Sequence, residues 1–237
     1  MVNTDKLSSI ILGLCLIIGL AVFGYLLGNA AIEFKEYERA VTVKGLSEQE
    51  YNADIVIWPI QFSVASNDLE QLYQAIDRST GQIRDFLENA GIDRSEISVS
   101  APSITDKSMQ QYGNQSRPEF RFTAFQSVTV YSTDVEAVRA QMGNLSELGK
   151  QGIVFTGNSY QIEYLFTRLN EVKPQMIEEA TRKAREVAEK FAADSNSTLG
   201  KIKTASQGQF SISARDNNNP HIKKVRVVST VAYYLSD

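Results

Sequence analysis

The feature that most restricts this chain is an uncharged run near its N-terminus, from residue 7 to residue 32. As a helix rising about 1.5 Å per residue, that run reaches roughly 39 Å, more than the hydrocarbon core of a bilayer at about 30 Å. Two readings compete, a cleaved signal peptide and a permanent anchor. A signal h-region spans about 7–15 residues; this run is longer, which favours the anchor, although Gly28-Asn29-Ala30 offers a small-residue cleavage sequence. Cys15 follows Leu14 rather than a small residue, so it reads as an inert thiol and not a lipidation site. The chain thus divides into a tail (1–6), a transmembrane helix (7–32), a charged stalk (33–39) and a domain (40–237). Lys6 and the amino terminus on one side, and Lys35 and Arg39 on the other, leave the flanking positive charge nearly balanced. A short tail before a large domain without cysteine pairs favours a cytoplasmic N-terminus and an exported domain. Within the run, Gly24 with Gly28 and Ser9 with Gly13 have the small-residue spacing that lets helices approach closely, a pattern that incidental glycine content also produces.

The charge balance narrows the partners. Twenty-four Lys and Arg against 28 Asp and Glu give −4, without the basic excess of a nucleic-acid binder. One cysteine and one histidine exclude an intrachain disulfide and any His or Cys cluster for a metal. His221, beside Asn217-Asn218-Asn219-Pro220, reads as a solvent-exposed loop residue. No HExxH, P-loop, GxGxxG or GxSxG sequence occurs. Glu178 and Glu179 lie in a helix laced with i,i+4 ion pairs and read as structural. We therefore expect no catalytic residue, no metal site, no cofactor and no nucleic-acid partner. The lipid bilayer is an expected partner, and the helix spacings together with the two long polar loops, 106–118 and 207–221, make other copies of the chain a second.

Periodicity organises the rest. Val41-Thr42-Val43 opens the first strand. A long strand follows over 53–65, where Ile55 and Ile57 read on one parity and Ile60, Phe62 and Val64 on the other. A switch at Trp58-Pro59 predicts a bulge or edge position, with Trp58 buried beside it. Asn67 with Glu70 marks a capped helix that ends at Gly91. Strands near 97–104 and 120–131 flank a polar stretch, 106–118. Thr133 with Glu136 caps a further helix over about 134–148, closed by Gly149. Tyr160, Ile162, Tyr164 and Phe166 then alternate on a strand. A long helix begins at Asn170, its inner face read as Ile177, Ala180, Ala184, Val187 and Phe191. Strands near 199–206 and 222–235 flank a second polar loop, 207–221. The fold class is α+β: two related βαββ halves, about 53–132 and 158–236, with mainly antiparallel sheets, preceded by one N-terminal transmembrane helix.

The stretch Val41-Thr42-Val43-Lys44-Gly45-Leu46-Ser47-Glu48, followed by Ala53-Asp54-Ile55-Val56-Ile57-Trp58-Pro59-Ile60, resembles the opening of SIMPL-domain proteins. So do Phe86-Leu87-Glu88-Asn89-Ala90-Gly91-Ile92 and Glu179-Ala180-Thr181-Arg182-Lys183-Ala184-Arg185. The likeness covers residues 39–237 and rests on the order of short structural motifs. Many members have Pro-Asp where this chain has Trp58-Pro59, and the chain resembles the branch with an N-terminal membrane helix. The resemblance implies a non-enzymatic protein of the bacterial envelope, anchored in the inner membrane with its domain in the periplasm. It also implies self-assembly into a ring- or cage-like homo-oligomer and a link to stress tolerance. It supplies no catalytic residue. The rival readings are a periplasmic ligand- or partner-binding module, with an aromatic groove near Trp58, and a hydrolase built on His221 with two acids.

Overall fold

The computed structural model describes residues 2–37, 39–110, 119–157 and 161–236. In chain order the elements are α1 (Val2–Tyr37), β1 (Ala40–Asn52), β2 (Ile55–Ser66), α2 (Leu69–Asn89), β3 (Ile97–Val99), β4 (Ser103–Asp106), β5 (Phe122–Ser132), α3 (Val135–Met142), α4 (Ser146–Lys150), β6 (Val154–Phe155), β7 (Glu163–Leu165), α5 (Leu169–Asp194), β8 (Thr198–Gln207), β9 (Ser211–Ala214) and β10 (Ile222–Ser236). Both sheets pair antiparallel in the registers described below. The chain forms two compact units, each assembled from separated segments: Met1–Glu48 with Lys173–Ser211 and Arg226–Asp237, and Gln49–Val172 with Ile212–Val225.

The order strand, helix, strands recurs as β2-α2-β3-β4-β5 and β7-α5-β8-β9-β10. Pairing distributes the strands differently. One sheet runs β1-β10-β8 with β9 on β10, and the other runs β3-β5-β2-β6 with β4 on β5 and β7 on β2. The strand that opens the second run therefore joins β2, while the place beside β10 is filled by β1.

In the first unit, α5 lies on β1 and β10. Its buried stripe is Met176, Ala180, Ala184, Ala188 and Ala192, a strict i,i+4 series. Val187 and Phe191, expected on the inner face, are exposed. Gly45 explains the preference for small residues. A Cβ there would fall on the Ala180 carbonyl, so helix and strand backbones are in direct contact and only alanine fits beneath. Val43, Val231 and Tyr233 complete this core, and Ser47 Oγ donates to Glu179 at 2.7 Å beside it. The other face of this sheet exposes Lys44, Glu48 and Arg226, with Arg226 paired to Glu48 at 3.8 Å, as expected for a solvated surface.

β10 is edged by β8 through Ser229↔Gln207 to Ser236↔Thr198, with register shifts after Ala232 and Tyr233. Gly208 N donates to Val228 O and Arg215 N to Ile222 O, both at 2.8 Å. The chain from Thr198 to Ala214 thus follows β10 as one long edge. The polar loop expected over 207–221 is shorter than its composition suggested, because β9 occupies part of it. Of the other loop, Asp106 ends β4, Lys107–Gln110 forms a 3₁₀ turn, and 111–118 lie outside the described residues.

In the second unit, Val56, Trp58, Ile60 and Phe62 of β2 and Val128 and Val130 of β5 face Ile83 and Leu87 of α2 and Val135 and Val138 of α3. Every one of these β2 residues is even-numbered, so inward alternation runs through the strand without a change of phase. The register against β5 is likewise continuous, from Val56↔Ser132 to Ser66↔Phe122. The bulge expected at Trp58 and Pro59 is absent. Pro59 is instead accommodated at a gap in the opposite edge: β7 covers Ile55–Ile57 and β6 covers Phe62 and Ser63. Gln61 O accepts from Thr156 N on that side at 3.0 Å. By alternation Pro59 turns its carbonyl to the same side and has no N–H to leave unpaired.

The helix caps sit one residue later than the sequence reading. Asp68, not Asn67, accepts from Gln71 N at 2.9 Å, and Asn67 instead accepts from Arg121 N. Asp134, not Thr133, caps α3 through Ala137 N. The helix expected over 134–148 is broken into α3, a 3₁₀ turn at Gly143–Leu145 and α4. Gly91 ends α2 at φ 87°, a left-handed conformation that glycine adopts without Cβ strain. The left-handed residue after α4 is Gly152, at φ 95°, rather than Gly149. Tyr160 of the expected alternating strand lies outside the described residues; β7 retains only Glu163–Leu165.

Candidate functional site

Three places bear on function. The first is α1. Its stretch Leu12–Ala30 has mean hydropathy 2.0, enough in length and composition to cross a membrane. Gly24 and Gly28 stand one helical turn apart, and a Cβ on either, or on Gly13, would meet nothing within 4 Å. Ser9 lies one turn before Gly13 in α1; its side chain is outside the described residues.

The second is the surroundings of Trp58 and Pro59. Trp58 is 4% exposed, a buried residue as the sequence suggested. Together with Ile60, Gln61, Met142, Leu145, Phe155, Gly157 and Ile162 these two residues line a cavity of about 220 Å³. Its side chains are aromatic, aliphatic or, at Met142, a thioether, apart from the Gln61 amide, and polar atoms form a substantial part of its surface.

The third surrounds His221, which the structure does not leave in solvent. The residue is 8% exposed, its ring stands edge-on to Tyr164 at 6.0 Å, and its carbonyl accepts from Ala53 N at 2.7 Å. Burial lowers the imidazole pKa below its ordinary value, and the Arg139 guanidinium adds to the effect. Arg139 is held by both oxygens of Glu136, at 3.0 and 3.2 Å. Arg215 binds Asp216 at 2.8 Å and holds its carboxyl down at about 2. The acids nearest His221 electrostatically, Glu136 and Asp216, are therefore each ion-paired, and His221 does not line the Trp58 cavity. Tyr164 links the two places: its hydroxyl reaches Met142 Sδ, on the cavity wall, at 3.7 Å. Its phenol pKa is raised, chiefly by burial. Sequence reasoning missed this cluster because strand pairing, not proximity in sequence, brings Ala53, Tyr164 and His221 together. Among the described residues, no three His, Cys, Asp or Glu side chains converge as metal ligands would.

The sheet of the second unit has a further property that sequence reading missed. Its other face is built from the odd-numbered residues of β2 and β5 and their neighbours, and within this unit no described helix packs on it. Cross-strand rows there include Ile57 with Tyr131 and Glu163, Pro59 with Thr129 and Ser98, and Ser63 with Phe125, Ser103 and Val154. Among the described residues on this face, Glu163 is the only charged one, in a chain that is 22% charged.

An antiparallel α+β domain carried behind one membrane-length helix is the class these features define. The particular family follows from its sequence: the family model described as SIMPL, protein of unknown function (DUF541), matches residues 41–231, and the chain belongs to that family. No curated protein matches the chain.

Proposed function

We propose that this SIMPL protein is a non-enzymatic, membrane-anchored component of the bacterial envelope that works by assembling with copies of itself. Its N-terminus is cytoplasmic, its domain periplasmic, and the assembly is a ring- or cage-like homo-oligomer that supports envelope stress tolerance. The observation that carries this reading is the outer edge formed by β8 and β9, along which no described strand pairs. From Lys201 to Gln207 every residue is exposed, and so is every residue of β9. The outer side of such an edge strand is a template on which another strand can add. One membrane helix per chain is consistent with this reading, since a single span forms neither pore nor transporter.

The test is the mass of the full-length protein in mild detergent at micromolar concentration. A defined particle of several chains is expected, reduced by Ala205→Pro. Gly208 N donates to Val228 O, so along the unshifted register the even-numbered N–H groups face β10 and the Ala205 N–H lies on the outer side. A monomeric wild type refutes the reading. The Trp58 cavity favours a second reading, a small-ligand module. Trp58 is the chain's only tryptophan, so a saturable emission change with an added apolar compound would support it.

A further inference from the structure

We infer that the uncharged outer face of the β3-β5-β2-β6 sheet is a docking surface for the same face of a second copy, making a face-to-face dimer the building block of the assembly. The inference rests on the self-assembly reading above and assigns it a surface.

The first argument is charge. β2 and β5 contain no Asp, Glu, Lys or Arg in either parity. One face is accounted for by the core under α2 and α3. The other bears Ser, Thr, Gln, aliphatic and aromatic side chains, mostly half-buried, with Phe125 and Tyr131 exposed and the Thr123 and Ser127 hydroxyls buried without a hydrogen-bond partner. Charge depletion with aromatic enrichment distinguishes the centre of protein interfaces from ordinary surface. The sheet of the first unit supplies an internal contrast, because its open face carries Lys44, Glu48 and Arg226.

The second argument is anchors. Phe125 is 47% exposed and Tyr131 is 50% exposed, at two positions on this face. Ile57 lies directly beside Tyr131 in the register, and Phe125 is flanked by Ser63 and Ser103. Aromatic groups of this kind are the common energetic centres of interfaces.

The third argument is area. The sheet, with β2 twelve and β5 eleven residues long and the flanking β3, β4, β6 and β7 only two to four, presents roughly 550 Å² at about 3.3 Å by 4.8 Å per residue. That approaches the roughly 600 Å² per partner at the lower end of stable interfaces. A second copy is the fitting occupant, because a face of hydroxyls, aliphatic groups and aromatic rings complements itself. Two such sheets stack about 10 Å apart without bringing like charges together. Glu163 lies on β7, the outermost strand there, away from the central row of Pro59, Thr129 and Ser98.

The experiment uses the full-length chain in mild detergent, with mass measured by light scattering and folding checked by Trp58 emission. Phe125→Lys and Tyr131→Lys place charge on half-exposed positions and leave the even-numbered core untouched. Each is expected to reduce the particle mass at least two-fold with Trp58 emission unchanged, while Thr42→Lys on the open face of the first unit has no effect. If both charged variants keep the wild-type mass while Ala205→Pro reduces it, self-assembly stands and this face is not its surface. A monomeric wild type ends both readings. Should the charged variants lose their fold, Thr129→Cys in a Cys15→Ser background decides the matter. A covalent dimer with a short bismaleimide supports the inference, and its absence from an assembled particle overturns it.

Discussion

Replacing Gly45 by alanine adds one methyl group where β1 and α5 touch backbone to backbone. That methyl would lie 2.5 Å from Ala184 N and 2.9 Å from Ala180 C, whereas ordinary van der Waals contact begins at 3.4 Å. All the nearest atoms are main chain, so no side chain can swing aside; α5 must retreat by about 1 Å or more. A gap of that size forfeits a quarter to a half of each dispersion contact across it, at roughly 0.1–0.2 kcal/mol per atom pair. The layer affected is Val43, Ala184, Ala188, Val231 and Tyr233, and the Ser47–Glu179 hydrogen bond crosses the same seam. Lost contacts therefore amount to about 1–2 kcal/mol, and the overpacking strain that remains contributes about 1–3 kcal/mol more. We expect Gly45→Ala to destabilise the domain by about 2–5 kcal/mol, a large part of the 5–15 kcal/mol typical of folded domains. Denaturant titration followed by circular dichroism in mild detergent measures it, with hydrogen exchange in β1 and α5 as a local readout. Stability within about 0.5 kcal/mol of the wild type, the range of an ordinary surface substitution, would refute the proposed backbone contact.

The same chemical change should have the opposite sign at Gly81, inside α2, where an added Cβ meets nothing within 4 Å. Gly81→Ala is expected to stabilise by roughly 0.5–1 kcal/mol in the same titration. His221 predicts an acid-sensitive window. Its folded pKa lies below 6.5, so the unfolded chain binds the proton first. Stability is then fully present above about pH 6.5 and declines as pH falls towards the folded pKa. His221→Gln should flatten stability in that window, measured by denaturant titration at several pH values. Carboxylates such as Asp54, with its pKa lowered below 3.8, act only at more acidic pH. Asp68→Ala removes the α2 cap and should cost about 1 kcal/mol, whereas Asn67→Asp, at a residue that does not cap the helix, should leave α2 stability nearly unchanged. Calorimetry of the two variants distinguishes them.

Helix spacing and antiparallel strands were legible in the sequence because each core side chain recurs at its own period. Leu69, Leu72, Ile76, Ile83 and Leu87 mark one face of α2, and all but Leu69, at its exposed first turn, are buried. Two elements misled. In α5 the larger residues Val187 and Phe191 outweighed Ala188 and Ala192 by hydrophobicity, yet only alanine fits against Gly45; close backbone contact leaves no trace in hydropathy. In β2 the odd-numbered isoleucines drew attention from Val56 and Trp58, and an apolar outer face made one continuous strand look like two out of phase. That same feature held the signal for the outer face. Strands with no charged residue in either parity are expected where both faces are covered, and β2 and β5 fit that description although the described helices of their unit cover only one face. The His221 cluster had no comparable signal, since its members are brought together by pairing between distant segments.

Pro59 has a consequence for misassembly. Between β7 and β6, no described strand pairs with the middle of β2 along that edge, and unpaired strand backbone invites unrelated extended chains to add on and seed aggregates. A proline there offers an acceptor without a donor, so an arriving strand can complete only half of each reciprocal pair. A valine would keep the buried face intact and restore the missing N–H. Its cost would therefore emerge not in folding but in the fraction of chains lost to precipitation during synthesis.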